Sequence, residues 1–268
     1  MLKEGQLQRV DVLTIAGWGL LLMPLLTMWH EIGGHAAVCT LQGGHVATIG
    51  AFYVDCDGLV GLGNILVACA GVFVNIMLAI AVYCLWRRAV SDTARIILWL
   101  IWVSEAFVAS GYFLFSGVTG FGDLGIGEGG SLSTLGLTWP IQIIEVVLGL
   151  ASYILLVRAA ICTLNTIIGT GPETRNVRRS IAHVYYASAG VAAVLVGLLN
   201  PVGIIITIMS AAASSFGGLA GFISIGHAVG KEGEANPVLL RRNLAVVSAG
   251  IVVLAAFALI LGPSLHFK

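Results

Sequence analysis

The sequence is poor in charge and contains no block of basic residues. Only 10% of its 268 residues are charged, whereas a soluble domain averages about 25%. Basic and acidic residues number 13 each, so the formal net charge is zero. Without a basic face we expect no nucleic-acid partner. Without a phosphate-binding glycine motif we expect no nucleotide cofactor.

The sequence also lacks paired cysteines. Its five cysteines are scattered at positions 39, 56, 69, 84 and 162, mostly within apolar stretches, and none forms a C-x-x-C motif. That spacing is not typical of a metal or redox site. We therefore expect the cysteines to pack inside membrane helices and to form neither disulfides nor a metal centre.

Apolar residues are abundant: they make up 58% of the chain, and the mean hydropathy is +1.00. A helix needs roughly 20 mostly apolar residues to cross a bilayer core. Seven stretches qualify, near residues 12–40, 62–86, 96–117, 137–157, 181–199, 202–226 and 243–261. We predict an all-α polytopic membrane protein with about seven transmembrane helices in contact with the lipid bilayer. The first stretch exceeds the length of a perpendicular span, so it should tilt, break or leave the membrane near its end.

The positions of the basic residues predict the orientation. They cluster before the first stretch and in every second loop, at Lys3, Arg9, Arg87, Arg88, Arg95, Arg158, Arg175, Arg178, Arg179, Lys231, Arg241 and Arg242. The alternate loops contain no lysine or arginine, and only Lys268 falls on the other side. Basic residues concentrate in cytoplasmic loops. We expect an integral protein of a prokaryotic cytoplasmic membrane, with its N-terminus in the cytoplasm.

One motif near the end of the first stretch carries candidate chemistry. The segment WHEIGGHAAV places His30, Glu31 and His35 where a zinc hydrolase has H-E-x-x-H, but its histidines are five residues apart instead of four. In a regular α-helix such residues diverge by about 140°. A π-bulge or a break at Gly33-Gly34 would bring the histidines together. A third interpretation keeps the α-helix and pairs Glu31 with His35, and a fourth is a hydrogen-bonded group without a metal.

A catalytic zinc site needs a third protein ligand and one open position. The orientation places loop 118–138 on the same side of the membrane as the histidines, and this glycine-rich loop contains Asp123 within GVTGFGDLGIGEGG. Asp123 is the leading candidate for the third ligand. Asp57 and Glu128 are weaker alternatives, because the DCDG sequence around Asp57 is typical of a turn.

Three segments, in chain order, resemble the site-2 protease family of intramembrane zinc metalloproteases. They are HEIGGHA, AGVFVNIMLA and FGDLG, and the resemblance covers roughly residues 20–130. It implies that His30, His35 and Asp123 bind zinc. It also implies that Glu31 is the general base and that Asn75 is a polar helix residue near the site. The sequence departs from the family in its additional glycine and in Val72, which stands where the family has proline.

The segment between the first two spans predicts a β-element. Residues 43–63 contain β-branched and aromatic residues, then a turn, then another short apolar piece, which is typical of a β-hairpin. An exposed strand edge can bind an extended peptide. The alternative is an ordinary loop, and in either case His45 should be exposed. Elsewhere, Glu105 and Glu145 lie within apolar spans and could support a ligand histidine or join helices.

These features predict an intramembrane zinc metalloprotease that hydrolyses peptide bonds of a membrane-protein substrate. Residues 1–138 would form its core of three spans, the hairpin and the ligand loop. Residues 139–268 would add four transmembrane helices for packing or substrate gating in the same membrane domain. The alternatives are an ion or small-solute transporter that uses the His/Glu/Asp cluster, and an inactive protease-like protein.

Overall fold

The chain is mostly helical. The computed structural model describes residues 8–268 apart from the side chain of Ile206, so the predicted basic residue Lys3 lies outside the described residues. Six helical segments are long and apolar enough to cross a membrane: Val12–Leu41, Leu62–Trp86, Asp92–Thr119, Trp139–Ile168, Pro172–Gly197 and Thr207–His227. These agree with the first six predicted spans. The seventh corresponds to a shorter apolar helix of 17 residues, Leu244–Ile260.

The first membrane segment is built from three consecutive helices: α1 (Val12–Met28), a first π-helix (Trp29–Ala36) and α2 (Ala37–Leu41). Asp11 begins α1, because its side chain accepts a hydrogen bond from the backbone N–H of Thr14. The remaining helices are α3 (Leu62–Trp86), α4 (Asp92–Thr119), α5 (Trp139–Ile168), α6 (Arg175–Gly197), α7 (Ile204–Ile206), a second π-helix (Thr207–Gly217), α8 (Gly221–His227) and α9 (Leu244–Ile260), together with two short 3₁₀ helices at Ser133–Leu135 and Pro172–Thr174.

The predicted β-hairpin is confirmed between α2 and α3. Strands β2 (His45–Ile49) and β3 (Val54–Asp57) pair antiparallel. A third strand, β5 (Leu265–His266), pairs antiparallel with the other edge of β2, so the strand order is β3-β2-β5. A separate parallel pair joins β1 (Gln8–Val10) to β4 (Val238–Leu240). At the tip of the hairpin, Phe52 is buried and packs edge-to-face on Phe257 of α9.

The helices pack around a core that includes large aromatic side chains. α4 contacts both α3 and α5, while α1 contacts α6 and α9. Trp99 and Phe107 of α4 pack against Phe222 of α8, and Tyr185 of α6 completes this group. α4 therefore lies between α3, which contacts the histidine segment, and α5.

The expectation that no cysteine forms a disulfide is wrong. Cys39 of α2 and Cys56 of β3 are disulfide-bonded, with their Cα atoms 6.0 Å apart. The hairpin folds back on the end of the first membrane segment, and this brings together two residues whose spacing carries no recognisable motif. The other three cysteines are free. The bond ties the hairpin to the segment that carries the histidines.

Candidate metal centre

The backbone of the histidine motif is a π-helix, so the first of the alternative interpretations is confirmed. It covers Trp29–Ala36 and continues directly from α1 into α2, so Gly33-Gly34 do not break the helix. A π-helix has roughly 4.4 residues per turn, so five residues advance by about 410° and leave His30 and His35 about 50° apart. Four residues of α-helix give about 40°. The π-helix therefore restores the geometry that the additional residue would destroy.

Three ligand atoms from two distant segments converge. Nε2 of His30 lies 3.1 Å from Nε2 of His35 and 3.1 Å from Oδ2 of Asp123. Nε2 of His35 lies 3.3 Å from the same oxygen. A tetrahedral zinc ion with bonds of about 2.0–2.2 Å places its ligand atoms about 3.3–3.5 Å apart. The observed triangle therefore fits a tetrahedral metal with only a slight expansion.

The surrounding hydrogen bonds determine which nitrogens face one another. Nδ1 of His35 donates to the carbonyl of Val67 at 2.7 Å. In the amide orientation that satisfies its neighbours, Asn75 accepts a hydrogen bond from Nδ1 of His30 at 3.1 Å. With both Nδ1 atoms protonated, neutral imidazoles present lone pairs at Nε2. Two lone pairs and a carboxylate oxygen then meet without a proton between them, an arrangement that a cation stabilises.

One face of α3 contacts both imidazoles. Val67, Gly71 and Asn75 are spaced four residues apart, so they lie on the same side of the helix. The hydrogen bonds of Val67 and Asn75 are of the kind that orient metal-binding histidines in known sites. Asn75 also donates to Oε2 of Glu105 and to the carbonyl of Gly71, both at 3.2 Å. Glu105 is thus linked to His30 through the side-chain amide of Asn75. This agrees with the first of its two predicted roles, support of a ligand histidine.

Two glycines allow the helices to approach this closely. A Cβ atom on Gly34 would lie 2.7 Å from the Cα of Gly71, and a Cβ on Gly71 would lie 2.4 Å from the ring of His30 and 2.5 Å from Nε2 of His35. The space that a methyl group would fill on α3 is therefore occupied by the two imidazoles. Neither glycine could be replaced without moving a helix or a ring.

Tight turns after α4 position Asp123, the third candidate ligand. α4 ends at Thr119 with Gly120 in the left-handed conformation, and Gly122, directly before Asp123, also has a positive φ. The following residue, Leu124, is buried against Val72 of α3. Burial raises the pKa of the Asp123 carboxyl, whereas the positive charge of His35 and His30 when protonated, and their hydrogen bonds to this carboxyl, lower it below its usual range.

The two weaker ligand candidates lie elsewhere. Asp57 is exposed in β3, opposite the exposed His45 of β2, and Glu128 is exposed later in the glycine-rich loop. Neither forms an ion pair with a histidine among the described residues. Glu145 is buried on α5 beside Gly117 of α4, and its Oε2 has no hydrogen-bond partner in the described part of the chain.

Glu31 belongs to the buried group. His30, Glu31 and His35 are all at most 6% exposed, and their ligand atoms lie within 4.8 Å of one another, so this group could hold a metal ion. Glu31 also lines a cavity of about 70 Å³, here called the Glu31 cavity. This cavity is large enough to admit water.

A second cavity of about 70 Å³, here called the Asp123 cavity, is lined in part by Asp123. The residues that line both cavities are Phe52, Val108, Tyr112, Ser210 and Ser214. Ser210 and Ser214 come from the second π-helix, so the membrane segment nearest to the site on this side also departs from an α-helix. Space lined by both apolar and polar side chains therefore borders the converging ligand atoms.

Sequence reasoning missed three contributors to this site. The Val67 carbonyl cannot be recognised, because every residue has one. Gly71 lies within the segment AGVFVNIMLA, but only its close approach to the rings reveals its role. Tyr112 stacks on His30, with ring centroids 4.9 Å apart and planes 7° from parallel. A tyrosine in an apolar span gives no such signal.

No protein-family model, curated protein or solved structure matches this chain.

Proposed function

We propose that the protein is an intramembrane zinc metalloprotease of the site-2 protease type. The observation that carries the proposal is the convergence of two imidazole nitrogens and one carboxylate oxygen at 3.1–3.3 Å, next to a buried glutamate and a cavity. Their chain order, with Asn75 between the histidines and the aspartate, is that of the family. Three protein ligands leave one position open, as a catalytic zinc site requires.

His30, His35 and Asp123 would hold the metal. Zinc, when bound, supplies a Lewis acid that lowers the pKa of water and polarises a carbonyl group. Val67 and Asn75 keep both imidazoles in the tautomer that offers Nε2 to the metal. Metal binding would also neutralise the charge of Asp123, which burial in the protein otherwise disfavours.

Glu31 would act as the general base. Its carboxylate takes a proton from a water molecule in the Glu31 cavity while the water oxygen bonds to the carbonyl carbon of the substrate. The carbonyl π electrons move to its oxygen. When they return, the bond between carbon and nitrogen breaks, and Glu31 passes its proton to the amine that leaves. The products are a carboxylic acid, which ionises in water, and an amine.

The substrate would be a membrane protein with a locally unwound helix, because a helical segment shields its peptide bonds. The hairpin could bind such an extended segment by strand addition. Because β2 is paired on both sides, the edges of this sheet among the described residues are β3 and the two-residue strand β5, and β3 is the longer of the two. The hairpin tip is adjacent to the chemistry, because Phe52 lines both cavities.

Two observations favour a site that opens away from the cytoplasm. The basic loops alternate along the sequence, which puts the motif end of the first segment on the non-cytoplasmic side. The disulfide between Cys39 and Cys56 lies at that same end, and disulfides persist in oxidising compartments.

Glu31→Gln tests the proposal. The protein and a library of single-span membrane peptides would be reconstituted in lipid vesicles, and new peptide termini would be identified by mass spectrometry. We expect wild type to cleave, and Glu31→Gln to keep its zinc but lose cleavage by about 10²–10⁴-fold. The matched control is Glu128→Gln, since this exposed glutamate lies on the same side but outside the site.

Undiminished cleavage by Glu31→Gln would refute the mechanism. If wild type holds zinc, cleaves no peptide in the library and instead moves ions across the vesicle membrane, the transporter alternative replaces the protease.

A further inference from the structure

Tyr112 borders the converging ligand atoms on the side of α4. It is half-buried, stacks on the ring of His30 and lines both the Glu31 cavity and the Asp123 cavity. It therefore lies where water and a scissile peptide bond would meet the metal ligands.

The hydroxyl of Tyr112 is available. It forms no hydrogen bond with another described residue. Even so, it is not among the fully buried polar atoms that lack a partner. Its oxygen therefore keeps some access to open space, and Tyr112 lines both cavities beside the candidate ligands. Buried tyrosine hydroxyl groups usually find a partner, so a free one at a candidate site suggests that its partner is a ligand.

Most other donors near the site are already engaged. The amide of Asn75 donates to Glu105 and Gly71, and Ser104 pairs with the hydroxyl of Tyr185 at 2.9 Å. Ser210 lines both cavities and has no hydrogen bond within the described residues, but it has no stacking contact with a ligand ring. Tyr112, by contrast, is held beside the candidate ligands because its ring stacks directly on that of His30.

We infer that Tyr112 is a catalytic residue that donates a hydrogen bond from its neutral phenol to the oxyanion developing on the substrate carbonyl. The inference rests on the proposed function and adds a residue to it. When water attacks the carbonyl carbon, negative charge accumulates on the carbonyl oxygen. A donor held in place before the reaction stabilises that charge without reorganisation. The stacking on His30 and the packing of α4 provide this fixed position.

The experiment compares Tyr112→Phe with Tyr83→Phe. Phenylalanine keeps the ring that stacks on His30, and Tyr83→Phe removes the same phenolic hydroxyl from a position on α3 that lines neither cavity. Zinc content, kcat and KM would be measured on a membrane peptide that wild type cleaves. Binding would be measured for two further probes: a phosphinate analogue of that peptide, whose tetrahedral phosphorus carries an anionic oxygen, and the cleaved peptide product.

We expect Tyr112→Phe to retain zinc and KM and to lower kcat by about 10²–10³-fold. The phosphinate peptide should bind more weakly by a similar factor, while binding of the product peptide stays the same. Tyr83→Phe should remain within about threefold of wild type in each measurement.

Three results would overturn the role of Tyr112 while leaving the protease in place. They are a kcat within threefold of wild type, an equal loss of phosphinate and product binding, and a loss of zinc from Tyr112→Phe. The last two would make the tyrosine a structural support of His30. A wild-type protein that holds zinc but neither cleaves nor binds the phosphinate would instead refute the proposed function, and the role of Tyr112 with it.

Discussion

Replacing Gly71 by alanine should destroy metal binding without unfolding the protein. The added Cβ would lie 2.4 Å from the ring of His30 and 2.5 Å from Nε2 of His35, whereas ordinary contacts begin at 3.4 Å. The rings would have to retreat by about 1 Å, and metal–ligand distances tolerate only about 0.2 Å. We expect zinc affinity to fall by at least about 100-fold, or about 2.7 kcal/mol.

Neither the rings nor the helix can easily avoid this collision. His35 donates to Val67 and His30 to Asn75, and both partners lie on α3 together with Gly71. If α3 moved away from the histidines to relieve the clash, these two hydrogen bonds would lengthen at the same time. Alanine is favoured over glycine in a helix by about 0.8–1.0 kcal/mol, so α3 itself should not be destabilised.

The assay is a zinc titration of metal-depleted protein in detergent, in competition with a chromophoric chelator. Gly217→Ala is the matched control, because a Cβ atom at that glycine meets nothing within 4 Å. Circular dichroism would verify that both variants are folded. The reasoning fails if Gly71→Ala binds zinc within about threefold of wild type, since a 1 Å displacement of two ligands should cost far more.

Two further changes test the ligand set and the disulfide. Asp123→Ala should lower zinc affinity by about 100-fold or more, because it removes one of three ligands, whereas Asp57→Ala and Glu128→Ala should retain it. If Asp57→Ala strips the metal instead, the third ligand is wrongly assigned. Cys39→Ser should lower stability by about 3 kcal/mol, as the bond closes a loop with a sequence separation of 17. The decrease in thermal midpoint should match that of wild type in reductant, and reductant should not shift Cys39→Ser any further.

Hydropathy and residue spacing predicted the features that leave a local pattern in the sequence. Six of the apolar stretches form helices of membrane-crossing length, and the β-branched segment after α2 forms a hairpin. The five-residue spacing of His30 and His35 predicted a departure from α-helix, since only such a departure makes the residues useful to one ion. Asp123 was predicted because the expected orientation puts its glycine-rich loop on the side of the histidines, and its Oδ2 does lie 3.1 and 3.3 Å from their Nε2 atoms.

The remaining features depend on tertiary contacts that leave no mark in the sequence. Strand β5 has two residues, too few to show alternation, and it exists because β2 offers it an edge. The pairing of Cys39 with Cys56 requires the hairpin to fold back on α2. The second π-helix carries no paired histidines that would reveal its additional residue per turn. From the sequence alone, Tyr112 cannot be distinguished from a tyrosine that packs between membrane helices. Only its contact with the ring of His30 reveals its place at the site.

The first π-helix also preserves the phase of the chain beyond it. Eight residues of π-helix and seven of α-helix each complete about two turns. The additional residue of the motif is therefore absorbed between Trp29 and Ala36, and α2 leaves on nearly the face it would have had without it. Cys39 still points at the hairpin and meets Cys56. Compared with histidines four residues apart, the five-residue spacing therefore changes the direction of α2 little, although it departs from the H-E-x-x-H pattern.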